Sequence, residues 1–198
     1  MKKLLYFLML IFLFSSFAQE SKQTPLPYES IPDAPTDYGP GNVIARMIDG
    51  LGYRYYWATE GLTEKDLQFS PSKDARTLLE TLQHVYGLSE TILNASDSTP
   101  NVRPQDWSDL SFQELRKGTL VQLQKASERF LGKTADEIEA MKVIFKRGEK
   151  AYGFPYWNML NGQLSDAIYH TGQVVSFRRA SGNPLHPKVN VFIGKTGK

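Results

Sequence analysis

Four stretches of this 198-residue chain repeat apolar side chains every three or four positions, and that spacing constrains the fold more than any other feature. A helix turns once in 3.6 residues, so such a repeat lays an apolar stripe along one face, and the stripe must be buried against another element. The first stretch runs over 42–59, with Val43, Ile44, Met47, Ile48, Leu51 and Tyr55 as the stripe and Asn42 placed to cap it. Gly50 and Gly52 weaken it by about 1 kcal/mol each relative to Ala. The second runs over 74–94, where Leu78, Leu79, Leu82, Val85, Tyr86, Leu88, Ile92 and Leu93 form the face and Ser72 or Asp74 the cap. Ser111 and Glu114 have the form of a capping box opening a third helix over 111–131, and Thr134 and Glu137 repeat it for a short helix reaching 141. Pro155 stands where a first-turn proline belongs, so a fourth long helix is expected over 156–181, ended by Gly182.

Between these helices, 96–109 reads as a loop, and 143–154 as a strand-like or irregular connection because it alternates and carries Gly148 and Gly153. The stretch 19–41 is a Pro-rich lead-in expected to lie on the surface, since Pro25, Pro27, Pro32, Pro35 and Pro40 cannot propagate a helix. The expected fold class is all-α, a four-helix bundle over 42–198 preceded by that lead-in.

The N-terminus predicts the compartment. Lys2 and Lys3 precede the unbroken apolar run 4–14, and Ser16-Phe17-Ala18 supplies small residues where a signal peptidase reads. Residues 1–18 are therefore expected to be a cleavable export signal, which makes the protein secreted or periplasmic. The run falls short of the roughly 20 residues a spanning helix needs, so no stable membrane anchor is expected after cleavage. Cleavage removes two of the 23 Lys and Arg, leaving 21 against 21 Asp and Glu. A chain so balanced lacks the basic excess of a nucleic-acid binder. With no Cys there is no disulfide, no thiolate nucleophile and no Cys-based metal site, so any metal must take nitrogen and oxygen ligands.

Only three histidines are present, which makes their placement informative. His84 lies in the second helical stretch beside the core-facing stripe. His170 lies in the fourth, with Asp166 four residues before it. An i, i+4 pair projects from one helical face with Cβ atoms about 5–6 Å apart, within reach of one ion. The residues alone leave two alternatives open: an Asp and a His at this spacing also form helix-stabilising hydrogen-bonded pairs, and a lone His near a core face also serves as a neutral residue bonded to a carbonyl.

The segment from Tyr156-Trp157-Asn158 through Ser165-Asp166-Ala167-Ile168-Tyr169-His170-Thr171-Gly172-Gln173 resembles the last bundle helix of the DinB/YfiT-like superfamily. Val174 to Arg179, then Gly182-Asn183-Pro184, and the Leu79-Leu82-His84 helix resemble it too, so the likeness covers about 140 residues, from the first helix to Pro184. It implies a four-helix bundle of DinB-like type with one ligand on the second helix and a pair on the fourth, the last ligand being followed by Gly-Gln. Carried over, the ligands are His84, Asp166 and His170, Asp166 standing where most relatives carry His. The implied cofactor is one divalent metal ion, zinc or nickel first, with iron or manganese also compatible with a carboxylate among the ligands. Three protein ligands leave coordination positions open, as in catalytic or ligand-exchanging sites.

Around the triad, Gln173, Glu80, Asn158 and Asn161 are candidates to touch a ligand or bound molecule, and Arg178 and Arg179 to receive an anion. Each has a plainer reading: helix tie, solvated residue, local cap and macrodipole partner. His186 is expected to be exposed and outside the triad. Tyr53, Tyr55, Tyr56 and Trp57, with Phe154, Tyr156 and Trp157, either wall a pocket or fill the core. The implied activity is a metal-dependent hydrolase. The alternatives are a non-catalytic metal- or small-ligand-binding bundle and a thiol-dependent transferase, the last disfavoured by export away from cytosolic thiols. The sequence leaves the catalytic residues and the substrate undetermined, and leaves open a homodimer formed through an exposed helical face.

Overall fold

The computed structural model describes residues 25–197, and the export signal expected over 1–18 lies outside them. The described chain is mostly helical. Its long helices are α1 (Pro40–Thr59), α3 (Leu78–Ala95), α4 (Phe112–Phe130) and α7 (Ser165–Ala180), with short helices α2 (Glu64–Leu67), α5 (Ala135–Ala140) and α6 (Trp157–Met159). Helix α1 packs on α4 and α7, and α3 on the same two, so the four apolar stripes meet in one core. Leu51, Leu82, Ile92, Leu115, Leu123, Met159 and Leu164 are buried there.

The all-α expectation is corrected by two small sheets. Strands β2 (Lys142–Arg147) and β3 (Lys150–Pro155) form an antiparallel hairpin, and β1 (Asn101–Val102), inside the expected loop, pairs with β2 in parallel. In β2 Val143 is buried while Lys142, Lys146 and Arg147 are exposed, and the Asn101 side chain donates to the Ile144 carbonyl at 3.0 Å, which fastens the added strand. Pro155 is consequently the last residue of β3 and not the first of a helix. Strands β4 (Val189–Asn190) and β5 (Lys195–Thr196) make a second hairpin near the C-terminus.

Helix starts follow side-chain chemistry with shifts of a few residues. Ser111 with Glu114 and Thr134 with Glu137 form the expected capping boxes. Helix α3 begins only at Leu78, because Thr77 and Glu80 supply a complete box that Ser72 and Asp74 lack. Helix α1 begins at Pro40, whose missing N–H costs nothing in a first turn. Asn42 is therefore inside the helix: its Nδ2 donates to Asp37 Oδ1 at 2.8 Å and its Oδ1 accepts from Gly132 N–H at 2.9 Å, tying α1 to the turn after α4.

The lead-in does not simply lie on the surface. Tyr28 is buried, donates its hydroxyl to Asp49 Oδ1 at 3.0 Å, and lays its ring on Gly52. A Cβ at position 52 would stand 2.5 Å from that ring, which explains a glycine that weakens the helix locally. Gly52→Ala is expected to cost ~1–3 kcal/mol by overpacking, read as a fall in the urea midpoint with unchanged slope.

The expected fourth helix is interrupted. Gly162, at φ −94° and ψ −107°, leaves helical geometry, and Leu160–Leu164 form a π-type turn between α6 and α7. Beyond it α7 buries Ala167, Thr171, Val174 and Arg178 along one face. It closes as expected, with Gly182 at φ +96° donating to the Arg179 carbonyl.

Candidate metal centre

Helices α3 and α7 bring His84, Asp166 and His170 together from 82 and 86 positions apart in the chain. One donor atom from each lies within 4.8 Å of the other two. Asp166 bridges the rings: its Oδ2 lies 3.2 Å from His84 Nε2 and its Oδ1 3.3 Å from His170 Nε2. The rings meet edge to face, with centroids 4.6 Å apart. All three residues are half-buried, His170 the deepest.

The donor set fits a small divalent ion. Ligands about 2.0–2.1 Å from a tetrahedral metal are separated by about 3.3 Å along each edge, close to the two Asp166 distances. His170 Nδ1–H donates to Gln173 Oε1 at 2.6 Å, and Gln173 Nε2 donates onward to the Tyr169 hydroxyl at 3.2 Å. That bond leaves the His170 Nε2 as the ring nitrogen facing Asp166, where a small cation would be held between them. Burial is the largest influence on His84 and holds its pKa below the ordinary value, against the opposing pull of Asp166. The uncharged, ligand-competent form of that ring therefore persists to lower pH than in a free imidazole.

Gln173 thus sets tautomer and ring orientation, the task an outer hydrogen bond performs for a metal-bound His. Gln173→Leu is expected to weaken zinc affinity roughly 10–100-fold with little change in metal-free stability, measured by competition with a chromophoric chelator.

Beside Asp166 lies an open hollow of about 430 Å³ lined by Leu88, Asn161, Gly162, Gln163, Ser165, Asp166 and Tyr169. Asn161 reaches it because the π-type turn widens the backbone just before Asp166, a distortion common at functional sites. Tyr169, whose ring lies 5.1 Å from that of His170, is the site neighbour that sequence reasoning missed. Its position one residue before His170 was the available signal.

Other expected neighbours are engaged elsewhere. The Glu80 carboxylate accepts from Thr77 N–H at 2.7 Å, as the capping box requires, and does not reach the triad. Arg178 is buried and receives no anion: its guanidinium donates to the carbonyls of Trp57, Ala58 and Glu60 at 3.0 Å each, and to both oxygens of Asn183. Arg179, Asn158 and His186 are exposed, and His186 stands against Trp57 outside the triad. Tyr53, Tyr55 and Tyr156 are core, while Trp157 lines a separate apolar cleft with Val43, Ile44 and Ile138. No protein-family model, curated protein or solved structure matches the chain.

Proposed function

We propose that this chain is an exported, DinB-like four-helix bundle that holds one divalent metal ion through His84, Asp166 and His170 and acts as a metal-dependent hydrolase. The observation that carries the reading is the convergence of two imidazole nitrogens and a carboxylate, from two separate helices, within 4.8 Å of one another. A bound ion would lower the pKa of a coordinated water and supply a nucleophile at neutral pH. The chain's own groups do the positioning. Asp166 sets a carboxylate between the two imidazoles, Gln173 holds the His170 tautomer, and the hollow seats a molecule next to the triad.

The support for four-helix architecture is the mutual packing of α1, α3, α4 and α7. The support for export is the Lys2-Lys3 start, the apolar run 4–14 and Ser16-Phe17-Ala18. One observation favours the second reading, a non-catalytic ligand-binding bundle: among the described residues, Asp166 and Tyr169 are the only ionisable groups lining the hollow.

The test is metal content by elemental mass spectrometry on protein purified without chelators or a histidine tag. About one divalent ion per chain is expected, zinc or nickel foremost. A metal-free protein that also refuses zinc, nickel and manganese would sink the proposal. With metal in place, hydrolysis of activated esters and amides separates the hydrolase from the binding module.

A further inference from the structure

From Asp166 to the C-terminus the sequence contains no further Asp or Glu, yet it carries Arg178, Arg179, Lys188, Lys195 and Lys198. Arg178 is internal, but Arg179, Lys188 and Lys195 are exposed. Within this basic stretch the β4–β5 hairpin presents three consecutive large apolar residues at its turn, Val191, Phe192 and Ile193, exposed by 48%, 95% and 53%. Phe192 thus has almost no intramolecular contact. Scattered single apolar residues on a surface need no explanation, but a contiguous group rimmed by charge marks an interaction site.

The tip is held out by its base. Asn190 Oδ1 accepts from Phe192 N–H at 3.0 Å and Ile193 N–H at 3.2 Å, and the Asn190 carbonyl accepts from Gly194 N–H at 2.9 Å. The buried Gly194, at φ +67°, accepts from Ile31 N–H at 2.9 Å, and its missing Cβ makes room for the Ile31 side chain. The Tyr53 hydroxyl and Thr196 Oγ1 share a hydrogen bond of 2.8 Å. The hairpin is therefore pinned to α1 and to the lead-in, and its apolar turn is presented already ordered. The lead-in brings Glu29 and Asp33 to either side of Ile31, with Arg46 bonded to the Pro32 carbonyl between them at 2.7 Å.

We infer that the Val191-Phe192-Ile193 tip docks the protein reversibly on an anionic lipid surface. The three side chains enter the boundary between headgroups and acyl chains, and the exposed Lys195 beside the turn meets the phosphates. Apolar residues at interfacial depth with basic residues beside them are the composition that binds such surfaces. Lysine stems can lie along the apolar layer while their ammonium groups stay in the headgroups. No helix among the described residues is long and apolar enough to cross a membrane, so this attachment is peripheral.

The test uses the full chain and vesicles of phosphatidylcholine alone or with about one-third phosphatidylglycerol. Because the apolar run 4–14 would itself partition into lipid wherever it is retained, the readout is placed at the tip. In a Phe192→Trp variant, after subtraction of wild-type emission, the added fluorescence is expected to shift to the blue on anionic vesicles and to be quenched by lipids brominated near the headgroup. The double variant Phe192→Ser, Ile193→Ser, its fold checked by circular dichroism, is expected to lower the partition constant about tenfold or more. High salt is expected to weaken binding of the wild type. An unshifted, unquenched emission, a double variant that partitions like the wild type, or equal affinity for neutral and anionic vesicles would each overturn the inference.

Discussion

On the proposed reading, His170→Ala is expected to abolish divalent-ion binding and, with it, the thermal stabilisation that zinc would confer on the wild type. His170 is the most buried of the three residues and the one with a dedicated outer partner, so its removal takes a candidate ligand and unmoors Gln173 together. The loss of affinity should exceed the roughly 10–100-fold attached to a lost outer hydrogen bond. His84→Ala should behave alike, while Asp166→Asn, which keeps the shape and removes the charge, should retain weak binding. A ligand present at a hundred times its Kd stabilises the folded state by about 2.7 kcal/mol, so the readout is a zinc-dependent rise in Tm in the wild type that vanishes in both alanine variants. An equal rise in wild type and variants would place the zinc elsewhere and remove the triad from the account.

The second large effect is structural. Arg178→Leu is expected to destabilise the fold by roughly 3–5 kcal/mol, because the carbonyls of Trp57 and Ala58 in the last turn of α1 would be left half-buried or buried without this donor and that of Glu60 would lose it too. At roughly 2–4 °C per kcal/mol for a domain of this size, Tm should fall by about 6–20 °C. Arg178→Lys should recover only part of the loss, since an ammonium cannot reproduce the planar fork. Asn183 extends the same clasp, donating to Asp66 Oδ2 at 2.7 Å, while Ser181 donates to Asp66 Oδ1. Desolvation opposes ionisation of Asp66, but the hydrogen bonds from Ser181, Asn183 and Thr63 prevail and hold its pKa well below the usual carboxylate range. A depressed carboxylate stabilises above its unfolded pKa of about 3.9 and loses that contribution as pH falls toward the folded value. The clasp should therefore loosen only in strong acid. A Tm for Arg178→Leu within a degree or two of wild type would show that water replaces the guanidinium at no cost.

The sequence by itself determined the elements that rest on local chemistry. The boxes at Ser111 and Thr134, the glycine stop at Gly182 and the apolar stripes of the long helices depend on residues within a turn or two of one another, so they are legible without the fold. It also singled out His84, Asp166 and His170, through the small number of histidines and the i, i+4 spacing together with the resemblance to the DinB/YfiT-like superfamily. Tertiary structure decided whatever depends on a partner distant in the chain. Only packing against Ile144 made a strand of Asn101 and Val102, and only the ring of Tyr28 accounts for Gly52. Only the fold assigned Arg178 to the end of α1 while leaving Gln173, five residues earlier, on His170. Both are polar residues of one helix, but Gln173 finds its partner one turn away within it, whereas Arg178 takes the carbonyls that the end of α1 brings to it, since a buried acceptor left alone costs more than any local preference repays.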